Sequence, residues 1–253
     1  MRGQLPLAPT PICGGPVYSL GRWVIASWLR GAARARLEGR EHIPATGPLL
    51  VAANHVSDLD PPLLAALFPR PLAFMGKAEL FEPRWLGWLF AYAGVIPVRR
   101  GATERRSLDR ALAVLARGQA VAVFPEGTRY ASGVLGRAHP GVGLLAARSG
   151  APVLPVAILG TERIVTIGDW LRRPWLIVRC GPLLPGEAAP RAGSAYYQRR
   201  ADEIMLAIAR LLPPRQRGVY AAAARTAGAV ALQDQEAVPE PQSTGRTRMD
   251  QHP

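Results

Sequence analysis

The chain's 253 residues are 49% hydrophobic, enough to bury the core of one large or two small domains, which excludes a wholly disordered chain. Lysine and arginine number 31 against 18 acids, a formal charge of +13 carried nearly all by arginine, and this draws the chain to polyanions: nucleic acid, anionic lipid or a phosphorylated substrate. Aromatic residues make up 7%, with no interleaving of aromatic and basic residues of the kind that suggests single-strand stacking, and no zinc-finger or RNA-recognition signature occurs, which argues against nucleic acid.

In chain order, residues 1–15 are rich in proline and glycine, lack a signal peptide's clean apolar core and are expected to be a disordered tail. Over residues 16–37, Tyr18, Trp23, Val24, Ile25, Trp28 and Leu29 interleave with Arg22, Arg30, Arg34 and Arg36. Indole suits the headgroup boundary and guanidinium pairs with lipid phosphate, so the segment is read as an amphipathic membrane-interface helix, with Trp23, Trp28, Arg22 and Arg30 as its contacts. A helix packed on the domain's own core is the other reading. No segment approaches the roughly 20 uninterrupted apolar residues of a spanning helix. Peripheral or monotopic attachment to an anionic membrane surface, on the cytoplasmic face, is therefore expected. The two cysteines, Cys13 and Cys180, offer neither a disulfide framework nor a zinc site, suit a reducing compartment, and leave no metal expected.

From residue 38 to 214 strand-like and helix-like stretches alternate. Strands are predicted over 36–40, 48–53, 71–76, 94–98, 120–124, 152–159 and 175–180. Helices are predicted from Pro61 to Phe68, then over 81–92, 103–117, 141–148 and 196–212. The alternation implies a single α/β domain, a mixed, mostly parallel sheet flanked by helices, with active loops at the carboxyl ends of strands. From about Arg215 the composition turns to Ala, Arg, Gln and Pro, and 215–253 are expected to be a disordered tail.

Three loops stand at strand ends. The first, Asn54-His55-Val56-Ser57-Asp58-Leu59-Asp60, precedes Pro61-Pro62. A residue before proline is pushed away from the α region, so His55 and Asp60 are not expected to share one helix. A bend at a strand end can bring imidazole and carboxylate together, fixing one tautomer and preparing the ring to take a proton. An ordinary loop histidine beside a helix N-cap aspartate is the alternative. The other loops, Pro125-Glu126-Gly127-Thr128-Arg129 and Arg99-Arg100-Gly101, combine glycine, hydroxyl and guanidinium, the chemistry of a phosphate pocket. A turn ion pair and a solvated arginine pair are their bland alternatives.

These residues resemble the glycerolipid acyltransferases typified by 1-acyl-sn-glycerol-3-phosphate acyltransferase. Asn54 to Asp60 is similar to the first motif of that family, Gly94-Val95-Ile96-Pro97-Val98-Arg99-Arg100 to its second, Phe124 to Arg129 to its third and Val153-Leu154-Pro155-Val156 to its fourth. Leu211-Leu212-Pro213-Pro214 resembles the closing segment more weakly, and Tyr130 departs from the serine often found after the motif arginine.

The resemblance implies a glycerol-3-phosphate acyltransferase-like fold and direct acyl transfer to the free hydroxyl of 1-acyl-glycerol 3-phosphate, giving phosphatidic acid. His55 would be the general base and Asp60 its orienting partner. Arg100, Glu126, Gly127, Thr128 and Arg129 would hold the acceptor phosphate, while Val153, Pro155 and Val156 would form acyl channel or core. No cofactor is implied beyond an acyl thioester co-substrate, acyl-CoA or acyl carrier protein. Glycerol 3-phosphate or another lyso-lipid as acceptor, a serine hydrolase and a non-catalytic anionic-membrane binding protein are the alternatives. No Gly-x-Ser-x-Gly elbow occurs to support the hydrolase.

Overall fold

The computed structural model describes residues 14–78, 82, 90, 94–98, 104–130 and 132–226. The predicted helix over 81–92 apart from 82 and 90, Arg99 and Arg100, and the tails at 1–13 and 227–253 lie outside them. Seven strands form one sheet: β1 (Arg34–Glu38), β2 (Leu49–Ala53), β3 (Leu72–Lys77), β4 (Val95–Val98), β5 (Ala120–Val123), β6 (Val153–Leu159) and β7 (Trp175–Cys180), in the order β1-β7-β6-β2-β5-β3-β4. All neighbours pair in parallel except β6 and β7. The sheet is mixed and mostly parallel, as the alternation of elements predicts.

A sheet covered on both faces needs strands apolar on both sides, and β2, β5 and β6 are buried along their whole length. One face carries α1 (Pro16–Ala32) and α2 (Asp60–Leu67), with Leu29, Leu63 and Leu64 meeting Leu49, Val51 and Val156. The other carries α3 (Glu104–Ala116), α4 (Pro140–Ser149) and α5 (Ser194–Leu211), with Val114, Leu145, Ile204 and Met205 against Leu50, Val121 and Val153. Val153 and Val156, on opposite faces of β6, are thus core residues, and Pro155 lies between them in the same buried strand.

Two expectations change. The interface helix ends at Ala32, five residues short of its predicted end. The extended backbone of Ala33 turns the chain into β1, where Arg34 to Glu38 pair with β7. Gly39, at φ 70°, ends that strand, and a Cβ there would lie 2.0 Å from the Cys180 carbonyl oxygen, so only glycine fits. The chain beyond Arg215 is also not a tail throughout. Short helical turns and α6 (Ala221–Thr226) fold onto the domain, with Ala224 buried and the Tyr220 hydroxyl donating to Asp202 at 2.7 Å. Alanine-rich composition reads as low complexity, but one half-buried tyrosine and one buried alanine dock the short helix.

α1 has two characters. Its inner side buries Tyr18 and Leu29, and the Tyr18 hydroxyl accepts the Leu72 N–H at 3.0 Å. Its outer side leaves Leu20, Trp23, Val24 and Trp28 between 49% and 64% exposed, at the spacing of one helical face. Arg22 is half-buried and Arg30 exposed. The core-packed reading therefore holds for the inner face, while the outer face is an exposed apolar side of the same helix.

Candidate active site

The carboxyl ends of β2, β5 and β6 lie side by side, and each releases a loop into one site. Asn54 closes β2 and extends the sheet with its side chain. Its amide donates to the Ile158 carbonyl at 3.0 Å and accepts the Ile158 N–H at 2.7 Å, as a strand backbone would. The next residue, His55, is thereby aimed out of the sheet edge.

Asp60 opens α2, so the two side chains do lie on different elements. Its carboxylate is fully buried and accepts four donors. Oδ2 takes His55 Nδ1 at 2.9 Å, the Val56 N–H at 2.7 Å and the Ser57 N–H at 2.8 Å, while Oδ1 takes the Thr161 hydroxyl at 2.6 Å. A helix-capping aspartate would instead bond N–H groups inside its own first turn. Here the carboxylate faces back to the preceding loop and across to the loop after β6. An ionised carboxylate only accepts, so the proton sits on His55 Nδ1 and Nε2 keeps its lone pair. The imidazole also stacks on Phe124, centroids 4.2 Å apart at 22°, which fixes the ring plane from below.

The loop after β5 locks the histidine backbone. Glu126 Oε1 accepts the His55 N–H at 3.0 Å, Oε2 accepts the Gly136 N–H at 2.9 Å, and the His55 carbonyl accepts the Tyr130 N–H at 2.9 Å. Glu126 is buried, and burial pushes its carboxyl above the usual glutamate range. This places Glu126 behind the rim rather than on it. Both carboxylate oxygens are committed to backbone donors, and a negative group would repel a phosphate, so Glu126 positions the two loops.

Gly127, at φ 63°, then turns the chain outward and leaves Gly127, Thr128 and Arg129 exposed at the rim. The Arg129 guanidinium contacts the Asp58 carboxylate, whose side chain is 84% exposed. A solvated pair of this kind is weak, and an incoming phosphate can replace the carboxylate. Tyr130 closes over Gly136, where a Cβ would meet its ring at 2.4 Å. Arg100 lies outside the described residues, two places in sequence beyond Val98, the end of β4. Among the described residues no group of three or more His, Cys, Asp or Glu side chains could hold a metal ion.

Thr161 escapes a reading of the sequence. It lies 101 positions from Asp60, and a threonine following Gly160 at a strand end carries no local mark of a carboxylate partner. Glu126 was legible as a site residue, but its bonds to the His55 N–H, 71 positions away, and to the Gly136 N–H were not.

The sequence matches the family described as Acyltransferase over residues 34–159. A 1-acyl-sn-glycerol-3-phosphate acyltransferase of Pseudomonas aeruginosa is 30% identical over 216 residues, covering 80% of this chain and 83% of that protein. The chloroplastic 1-acyl-sn-glycerol-3-phosphate acyltransferase of Arabidopsis thaliana is 33% identical over 139 residues, 54% of this chain but only 39% of the plant protein's length. A lyso-ornithine lipid O-acyltransferase of Pseudomonas aeruginosa is 42% identical over 112 residues, 44% of this chain and 43% of that protein. The crystal structure of the 1-acyl-sn-glycerophosphate acyltransferase from Thermotoga maritima is similar at a TM-score of 0.58 and 27% identity, covering 76% of this chain and 75% of the other.

Proposed function

The chain belongs to the acyltransferase family, and on that premise we propose that it transfers a fatty acyl group from a thioester to the free hydroxyl of 1-acyl-glycerol 3-phosphate, giving phosphatidic acid. The observation that carries the reading is the buried, four-fold bonded Asp60 holding His55 Nδ1 and leaving Nε2 at the mouth of the strand-end site. Nε2 takes the hydroxyl proton as the acceptor oxygen attacks the thioester carbonyl. The new ester C–O bond forms, the C–S bond breaks, and the proton passes on to the leaving thiolate. No acyl-enzyme is required, and base help of this kind contributes typically ~10²–10⁴-fold in rate.

Arg129, Thr128 and Gly127 receive the acceptor phosphate, joined by Arg100. The donor is acyl-CoA or acyl carrier protein. A second acceptor class, a lyso-lipid without a phosphate monoester, is favoured by the similarity to the lyso-ornithine lipid enzyme. The protein works as a peripheral or monotopic protein on the cytoplasmic face of the membrane, with the outer side of α1 in the headgroup region. Among the described residues no helix is long and apolar enough to cross a membrane, while Trp23 and Trp28 stand exposed for interfacial contact.

The test is thiol release from one acyl-CoA with purified protein and a panel of lysophosphatidic acid, glycerol 3-phosphate and lyso-ornithine lipid. Release that depends on lysophosphatidic acid is expected. A hydrolase releases thiol without any acceptor, and a binding module releases none.

A further inference from the structure

Beside the catalytic loops, at the same edge of the sheet, a cavity of about 400 Å³ opens between the end of β6 and the starts of β1 and β7. Five arginines line it: Arg34, Arg163, Arg172, Arg173 and Arg215. Its two acids, Glu162 and Asp169, offset only part of that charge. Glu162 accepts the Gly160 N–H at 2.7 Å and the Gln216 amide at 3.1 Å, and meets Arg163 only at 3.8 Å. Asp169 spends Oδ2 on the Val165 and Thr166 N–H groups and the Thr166 hydroxyl. Five arginines against two acids leave the cavity electropositive, and none of its lining residues is among those described in the His55 site.

Its rim is apolar. Val165, Ile167 and Leu171 are 84%, 88% and 87% exposed, more than any other large hydrophobic side chain among the described residues. They are held out by a fixed loop. Asp169 closes a capping box with Thr166, and Trp170 packs on Trp28 of α1 with centroids 4.3 Å apart. The Arg173 guanidinium donates to the Arg30 carbonyl at 3.2 Å, and Arg173 alone among described non-glycine residues has positive φ, at 46°. The loop thus continues the exposed side of α1 into one surface, apolar at its tips and cationic just behind them.

We propose that this cavity binds the phosphate headgroup of an anionic membrane phospholipid, while Val165, Ile167 and Leu171 enter the acyl region beside Trp23 and Trp28. A bilayer satisfies both halves of the surface, since guanidinium reaches lipid phosphate while the apolar tips leave water. An acidic protein would match the arginines but leave three exposed aliphatic side chains against polar surface. The site is distinct from the acceptor-phosphate rim at Arg129 and goes beyond the proposed reaction. It gives the enzyme a second attachment that turns the His55 edge of the sheet toward the lipid.

The test uses the full chain and vesicles of phosphatidylcholine, with and without an equal part of phosphatidylglycerol. At roughly 1 kcal/mol per cation near an anionic surface, Arg163→Ala with Arg172→Ala is expected to weaken association with the anionic vesicles about 30-fold. Association with phosphatidylcholine alone should not change. Ile167→Ser with Leu171→Ser should weaken both. Should the alanine pair unfold, Arg163→Lys with Arg172→Lys keeps the charge, and it must retain most of the binding to anionic vesicles; its loss would overturn the proposal. Anionic-vesicle binding by the alanine pair within about twofold of the native chain would overturn the proposal. So would equal displacement by soluble glycerol phosphate, which points to a free phosphate, or loss confined to acyl carrier protein binding, which points to an acidic protein. Since no turnover is read, failure here is separable from failure of the acyl-transfer reading.

Discussion

Glu126→Gln separates a positioning role from a phosphate-binding one. The glutamate oxygens accept the His55 and Gly136 N–H groups at 3.0 and 2.9 Å. Glutamine keeps one acceptor and turns an NH₂ toward the other donor, so one buried N–H loses its partner at about 1–3 kcal/mol. Removing a buried charge offsets part of that loss. A destabilisation of about 1–2 kcal/mol is expected in urea unfolding, or roughly 2–4 °C for each kcal/mol in a domain of this size. Because His55 is held through its own N–H, its displacement should lower kcat by up to about 10²-fold, while the KM for a phosphate-bearing acceptor stays near the native value. The pH dependence has a definite sign. Burial raises the Glu126 carboxyl in the folded state, so the folded chain binds the proton more tightly than the unfolded one. That group's contribution improves as pH falls through the raised value and is lost as pH rises through it. The native chain should therefore gain stability relative to Glu126→Gln on acidification through the range just above ordinary glutamate titration. A variant with native kcat and an acceptor KM raised tenfold or more would refute the positioning role.

Thr161→Val removes a bond to a buried carboxylate and should cost about 1.5–3 kcal/mol in stability and lower kcat with little change in either KM; Thr161→Ser should restore both. Arg129→Ala should change stability by less than about 1 kcal/mol, because its pair with Asp58 is exposed. It should raise the acceptor KM about 10- to 100-fold, as expected for ~1.5–3 kcal/mol in a charge-assisted bond, and leave the donor KM alone; equal effects on both substrates would indicate a structural role. Trp23→Ser with Trp28→Ser should weaken sedimentation with anionic vesicles, leaving the share contributed by the arginine cavity, in a chain that still melts cooperatively. Unchanged sedimentation would place the membrane-facing surface elsewhere.

The fold was legible wherever apolar runs were long and punctuated. β2, β5 and β6 read as buried strands because they are apolar on both faces, and α3 read as amphipathic from Leu108, Ala111, Leu112 and Leu115. The ends were harder. Arg34 and Arg36 look interfacial, yet both lie in β1 with guanidinium groups 5.4 and 5.2 Å from the centroid of the Trp175 ring, a stacking that no local pattern foretells. In the site, His55 and Asp60 were legible because five positions around a proline constrain their geometry. Thr161 and the true partners of Glu126 depend on strand order, which brings β6 beside β2 and β5 beside β2 from distant sequence. The exposed apolar loop at Val165, Ile167 and Leu171 was not legible, because isolated aliphatics in a polar stretch follow neither helix nor strand periodicity.

The central claim is that His55 is the base, and acceptor-dependent thiol release by His55→Ala measures it most directly. With the fold confirmed by circular dichroism and acceptor binding retained, turnover should fall by ~10²–10⁴-fold, because the residue acts on the proton and not on the phosphate. Retention of more than a few per cent of native turnover, about one part in 30 being the limit that a loss of ~2 kcal/mol would leave, would contradict it.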